Sequence, residues 1–350
     1  MPTMLPPSVA SIIGHVASYI SGFSPAMLCQ LFYSLTAAAV LTIAALPEST
    51  RRSLVQYGAR SVETPPLTSN ATSSPIPQSK GKCCRGSEEN GNNSTEPDPN
   101  TGSTITLMTR ITSLGKVPHA WFIHFYVTSV SCSLFWAIQF AYHGGVLDFI
   151  AQRQAQFGTV PMTLIQVIAA WSCMAVQGVR RLYEHFAVMK ASSSQMWLPH
   201  WLMGITFYAC TSVSIWVEGS ESLVRSSHTL RSITTPSLKL ILGAFLFLAS
   251  SLVQYRCHKY LSELKKYSLP EDGLFRYLVC PHYTCECVLY LSLAILAAPA
   301  GRPCNQTMLY AVIFVSVNLG VTAIGTRKWY SEKFGRRSVE KKWTMIPLVF

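Results

Sequence analysis

Between Leu269 and Tyr290 the chain reads LPEDGLFRYLVCPHYTCECVLY, with a histidine, a phenol and a carboxylate, His282, Tyr283 and Glu286, at the edge of an apolar run. Ionisable groups at membrane depth are costly and usually face a bundle interior or a cavity, so they mark function by default. On a helix, Tyr283, Glu286 and Tyr290 follow i, i+3, i+7 spacing and share a face, while His282 and Glu286 are i, i+4 neighbours. A carboxylate on an inward face can accept hydrogen bonds from a cofactor amide or hydroxyl, and Tyr or His can donate a proton. The alternative is an internal His/Glu pair that tightens packing. Cys285 and Cys287, two apart on a helix, point to different sides, so no metal site is assigned.

Two other clusters are more polar than a span end requires. QGVRRLYE, Gln177 to Glu184, places Arg180 and Glu184 four apart on one helical face. It reads either as charge anchoring of a span or as a guanidinium, Arg180 or Arg181, that meets a phosphate through bidentate contacts. QYRCHKYLSELKKYSLPEDG, Gln254 to Gly273, sets Arg256, Lys259, Lys265 and Lys266 around His258 and Tyr267. These can surround an anionic cofactor, or form an amphipathic helix on anionic lipid. Asn318, alone in an apolar run, is either interhelical glue or a cofactor ligand.

The elements that must position these groups are membrane helices. The chain has 350 residues, 49% of them hydrophobic and only 13% charged, with a mean hydropathy of +0.27, which is too apolar for an ordinary soluble domain. Apolar runs at Ala26–Leu46, Ala120–Tyr142, Pro161–Arg180, Pro199–Val217, Ser237–Tyr255, Leu278–Leu296 and Met308–Ile324 each approach the roughly 20 residues that cross a bilayer. The expected fold is therefore all-α, a polytopic membrane protein with seven transmembrane helices. The net charge of +12 comes from Lys and Arg placed between apolar runs, a pattern of membrane topology and not of nucleic-acid binding. With a lumenal N-terminus and a cytosolic C-terminus, 23 of the 28 Lys and Arg fall on the cytosolic side, as the positive-inside rule requires.

Three regions follow. Residues 1–60 hold the first span and its flanks. Residues 61–116 are read as a disordered, low-complexity cytosolic insertion, because Ser, Thr, Pro, Asn and Gly dominate from 61 to 104 and too little apolar surface is present to offset ordering entropy. The insertion contains sequons at Asn70 and Asn93 and the pair Cys83-Cys84 beside Lys82 and Arg85; glycosylation, palmitoylation or metal binding are the functional readings, and a tolerated linker is the bland one. Residues 117–350 form a six-helix membrane domain. The other cysteines in apolar runs, such as Cys29, Cys132, Cys173 and Cys210, behave as small hydrophobes. No internal repeat, P-loop, GxGxxG after a strand, or HExxH is present.

Four stretches give the chain a familiar character: VPHAWFIHFYVTSV (117–130); RRLYE (180–184); QYRCHKYLSELKK (254–266) with LPEDGLFRYLVCPHYTCECVLYLSLA (269–294); and the tail from Asn318 onward, NLGVTAIGTRKWYSEKFGRRSVEKKWTMIPLVF. They resemble the steroid 5-alpha-reductase family, in its polyprenol-reducing branch. The resemblance implies a seven-helix protein of the endoplasmic reticulum membrane, NADPH as hydride donor, and reduction of an activated carbon–carbon double bond in a long-chain polyprenyl lipid, giving the dolichol series that carries N-glycosylation precursors. No obligate protein partner is implied. Carried over by position, it sets Gln254, His258, Tyr283, Glu286, Asn318 and Tyr330 around the cofactor, with Arg181 and Lys265 as charge partners of its phosphates. Steroid-reducing members have a His-Tyr pair just before RRLYE, whose Tyr is a proposed proton donor. Here those positions are Gln177 and Gly178, so that assignment does not transfer and a 3-oxo-steroid is disfavoured.

Hydride needs an electron-poor alkene, and a plain allylic alcohol has no carbonyl to take up the developing charge. The expected substrate is therefore the α,β-unsaturated aldehyde, a polyprenal, with a donor near the carbonyl oxygen to stabilise the enolate. His282 and Tyr283, held by Glu286, are the catalytic candidates. A steroid or enoyl-CoA reductase is the alternative within enzymes. Outside them, a transporter or scaffold is the alternative, although a transporter more often shows repeated halves.

Overall fold

Short capping signals and long apolar runs set the helices. The computed structural model describes residues 21–47, 115–158, 160, 162–190, 194–220, 223, 237–265 and 267–349. The readings of the sequence at 1–20 and 48–114, including both sequons and Cys83-Cys84, and at Lys266 and Phe350 lie outside the described residues. Helix α1, Pro25–Ala45, starts with Pro at its first position and Ser24 accepting from Met27 N at 3.1 Å. A short strand β1, Lys116–Pro118, and a 3-10 turn, His119–Phe122, lead into α2, Ile123–Ala141. The strand begins inside the 61–116 bounds drawn for the insertion.

Helix α3, Gly145–Ala155, was not expected from the sequence, since GVLDFIAQRQA mixes polar and apolar residues without a long run. Thr163 and Gln166 form a capping box that opens α4, Leu164–Ala187. Strand β2, Gln195–Trp197, pairs antiparallel with β1 and delivers the chain to α5, Leu198–Ser214. Helices α6, Leu238–Glu263, α7, Pro281–Leu296, and α8, Gln306–Phe334, follow, with Gly335 at φ +85° ending α8 before the one-turn α9, Arg337–Glu340.

Among the described residues, four stretches are long and apolar enough to cross a membrane: Pro25–Ala45, His119–Ala141, Leu238–Glu263 and Gln306–Phe334. They support a multi-pass membrane protein. Helix α4 has 24 residues but carries Arg180, Arg181 and Glu184 in its second half, and α5 and α7 have 17 and 16 residues. The outer faces suit lipid, with Leu35, Leu134, Phe245 and Leu252 all largely exposed. Inside, helices are joined by packing and by polar contacts, as expected where no water drives association. The fully buried Tyr33 of α1 shares hydrogen bonds with Thr211 and Ser214 of α5 at 3.2 and 3.0 Å, and Trp136 Nε1 of α2 donates to Ser212 at 3.0 Å.

Glu218, in the buried 3-10 turn Val217–Gly219, secures the far end of α8. Its carboxylate accepts from Thr307 N at 2.6 Å, Thr307 Oγ1 at 2.7 Å and Gln306 N at 3.4 Å, and Gln30 of α1 donates to Thr307 Oγ1 at 2.9 Å. A carboxylate at a helix N-terminus satisfies donors that the helix leaves open and meets the positive end of its dipole. Glu218→Ala is expected to lower stability by about 1–3 kcal/mol, the cost of leaving buried donors unsatisfied. Thermal unfolding in detergent measures this, and an unchanged midpoint would contradict the role.

Candidate active site

Helices α4, α6 and α8 each run past the apolar bounds read from the sequence, to Ala187, Glu263 and Phe334. Arg181, Glu184 and His258 therefore sit on helical extensions of α4 and α6 that meet one another. Helices α6 and α7 share the most extensive contact of any pair among the described residues. Gly243 makes it possible: a Cβ there would lie 2.8 Å from the backbone of both Ser292 and Leu296.

The site is built outward from Glu184, whose side chain is fully buried. Its two oxygens accept from Arg180 Nη1 and Arg181 Nη1, and His258 Nδ1 of α6 lies 2.8 Å from Oε2. The same nitrogen is 2.8 Å from Arg181 Nη1, so with a hydrogen it donates to Glu184 and without one it accepts from the guanidinium. Arg181 Nη2 donates to the phenol oxygen of Tyr126 on α2 at 2.6 Å, and its guanidinium carbon stands 4.9 Å over that ring. Arg180 Nη2 donates to Gln177 Oε1 at 2.9 Å and to Gln254 Oε1, and Gln177 Nε2 also donates to Gln254 Oε1 at 3.3 Å. The chain of bonds then reaches α7, because Gln254 Nε2 donates to Glu286 Oε2 and to the carbonyl of His282 at 3.3 Å.

Of the residues expected from the sequence, Arg181, Gln254, His258 and Glu286 join this one network. His282 lies beside it, edge-on to His258 with ring centroids 5.6 Å apart and tilted against Tyr283 at 4.3 Å. Tyr283 and Tyr330 pack instead with Val279, Cys280, Ala323, Val339 and Met345 on the tail side. Glu286 engages Gln254, whereas the sequence suggested that it would hold His282 and Tyr283. Asn318 is half-buried on α8, its carbonyl accepting from Thr322 at 2.9 Å. Lys265 is exposed just beyond α6. Tyr126 was absent from the expected site; Arg180 had been read as an alternative to Arg181 for a phosphate, and Gln177 and Glu184 only as members of the same polar cluster. Among the described residues no group of three metal-ligating side chains occurs.

Gly178 accounts for the departure noted at that position. A Cβ there would meet Ser129 Oγ at 2.8 Å and Val130 Cγ2 at 3.1 Å, so α2 fills the space that a larger side chain would need.

The tail packs on the turn that leads into α7. Val279 N and Cys280 N donate to the carbonyls of Trp343 and Thr344 at 2.8 and 3.1 Å, Trp343 N donates to Tyr277 O at 2.8 Å, and Thr284 Oγ1 donates to Met345 O at 2.5 Å. Arg327 of α8 donates to Lys342 O, and Lys342 Nζ donates to Pro270 O at 3.1 Å. Partial burial lowers the Lys342 ammonium below the usual lysine value, with Glu271 opposing the shift.

Residues 195–350 match the family described as 3-oxo-5-alpha-steroid 4-dehydrogenase. The chain is 27% identical over 285 residues to polyprenal reductase 2 of Oryza sativa subsp. japonica, covering 67% of this chain and 79% of that one. To polyprenal reductase of Caenorhabditis elegans it is 28% identical over 255 residues, 67% and 80% of the two chains. To polyprenal reductase of Saccharomyces cerevisiae it is 31% identical over 172 residues, 49% and 60% of the two chains.

Proposed function

We propose that this chain, whose residues 195–350 carry the 3-oxo-5-alpha-steroid 4-dehydrogenase family domain, reduces the α-isoprene double bond of a polyprenal with NADPH, giving the saturated dolichal. The family domain and the named relatives indicate an oxidoreductase acting on a carbon–carbon double bond. The relatives' names favour the aldehyde over the alcohol, in agreement with the electronic demand of hydride addition. The observation that carries the reading is the buried network from Glu184 through Gln254 to Glu286, which brings α4, α6 and α7 to one polar point inside an apolar bundle.

The residues fit an anionic dinucleotide. Two guanidinium groups, Arg180 and Arg181, share the buried carboxylate of Glu184 with Glu286 in electrostatic reach of both, and Arg180 Nε is buried with no acceptor among the described residues. A phosphate or carboxamide oxygen supplies what this point lacks. Gln254, His258, Glu286, Asn318 and Tyr330 would hold the cofactor, with Arg181 inside and Lys265 at the exposed rim. Bound NADPH supplies the hydride. Phe207, Tyr208, Tyr290 and Phe314, whose neighbouring rings lie 5.3 to 5.4 Å apart by centroid, form an aromatic wall beside the site in which Tyr208 is the half-buried ring that an isoprenoid chain can lie against.

In this reading seven helices span the endoplasmic reticulum membrane, α4, α5 and α7 included, with a lumenal N-terminus, a cytosolic C-terminus and the site at the cytosolic side. The region 117–350 forms the catalytic domain, and its product enters the lipid pool that serves N-glycosylation. The purified protein in lipid nanodiscs, given NADPH with polyprenal, polyprenol or a 3-oxo-steroid in separate reactions, tests it. Turnover of the aldehyde is the expected result, and turnover of the steroid alone would overturn it. Glu286→Ala is expected to weaken NADPH binding at least tenfold, read by nucleotide fluorescence, because the Gln254 amide loses its charged acceptor.

A further inference from the structure

We infer that Tyr126 is the proton donor of the reaction, an assignment that rests on the polyprenal reading above. Tyr126 is buried on α2, 4% exposed, and its phenol oxygen accepts from Arg181 Nη2 at 2.6 Å. That is the only hydrogen bond of its hydroxyl among the described residues, so the phenol's own hydrogen has no acceptor there. A guanidinium donating to a phenol oxygen stabilises the phenolate left when the proton departs. Arg181 is itself fixed by Glu184, which leaves the phenol as the movable end of a rigid relay. Tyr126 is also within electrostatic reach of Glu286, and its ring centroid is 6.5 Å from that of Tyr208. The phenol thus lies between the polar network and the aromatic wall, where a lipid aldehyde has its head in one and its chain along the other.

The step balances as follows. Bound NADPH would supply the hydride that adds to the β-carbon of the enal. The alkene pair moves to join the carbonyl and α-carbons, and the carbonyl pair moves to oxygen. Tyr126 transfers its proton to that oxygen, giving an enol and a phenolate held by Arg181. The enol then takes a solvent proton at the α-carbon and returns its hydroxyl proton to Tyr126. One hydride and one solvent proton are consumed, and the nicotinamide is oxidised.

The test combines binding and turnover. Prenal, isotope-labelled at the carbonyl carbon, is bound to the cofactor-free protein and its carbonyl stretch is read by infrared difference spectroscopy. A shift to lower frequency in the wild type, lost in Tyr126→Phe and enlarged when difluorotyrosine replaces Tyr126, is the expected result. With NADPH and polyprenal, Tyr126→Phe is expected to lower kcat about 100-fold or more while NADPH affinity stays within about twofold. The same carbonyl frequency in wild type and Tyr126→Phe, or an unchanged kcat, overturns the assignment, as does a kcat loss accompanied by loss of NADPH binding. If the wild type polarises prenal through Tyr126 but does not reduce polyprenal, the substrate reading fails and the contact with the aldehyde stands.

Discussion

Replacing Glu184 with alanine is expected to destabilise the protein by about 3–5 kcal/mol, the usual consequence of removing one partner from a buried ionic cluster. Its carboxylate is completely buried and serves Arg180, Arg181 and His258 at once. Without it, two guanidinium groups remain in a low-dielectric interior with only neutral acceptors. Against a typical total stability of about 5–15 kcal/mol, this is a large fraction, and turnover is expected to vanish with the geometry of Arg181. Glu184→Gln keeps the shape and one acceptor oxygen but loses the charge, so it is expected to fall between wild type and alanine. Thermal unfolding in detergent with and without NADPH measures both. A Glu184→Ala protein that melts with the wild type would show that the cluster is held some other way.

The second large effect concerns a residue with no side chain. Gly243→Val is expected to lower stability by about 3 kcal/mol, at the upper end of overpacking, because the first added carbon already meets backbone at 2.8 Å on α7. Backbone cannot rotate out of the way, so the two helices must separate. Small residues at helix contacts are what permit such approach in membranes. Separation also pulls Gln254 on α6 from Glu286 on α7, and NADPH binding is expected to weaken in parallel with stability. Gly145→Ala is the control, since nothing lies within 4 Å of its added carbon. If Gly243→Val melts and binds NADPH as Gly145→Ala does, the tight α6–α7 approach is not what sets the site.

Much of this fold was legible in the sequence because membrane helices announce themselves by length and apolarity. The starts of α1 at Pro25 and α8 at Gln306 lie within two residues of the runs read from hydropathy. The far ends of α4, α6 and α8 were less legible. Beyond Arg180, Tyr255 and Ile324 the residues turn polar, and polarity reads as exit from the bilayer even when the polar groups face each other on continuing helices. The clusters around Arg181, His258 and Glu286 could be found because ionisable residues stand out in an apolar chain. Tyr126 could not, although it sits in the quoted HFY stretch, because a tyrosine in an apolar run looks like core until Arg181, 55 positions away, is placed beside it. Gly178 was noticed as a departure, but its reason, the closeness of Ser129 on another helix, is a packing fact. The assignment of Tyr283 to the same face as Glu286 followed helical spacing. Its packing followed the tail, whose pairing with the start of α7 no local pattern encodes.

That pairing has a consequence for biogenesis. Tyr277 to Cys280 leave the ribosome with the whole of α7 and α8 still to be made before their partners at Trp343 and Thr344 exist. The backbone groups ahead of α7 must therefore wait, hydrated, while two more helices are inserted. Insertion and completion of the site are separate events in time, and a translocon that has finished threading the spans has not yet produced a finished enzyme.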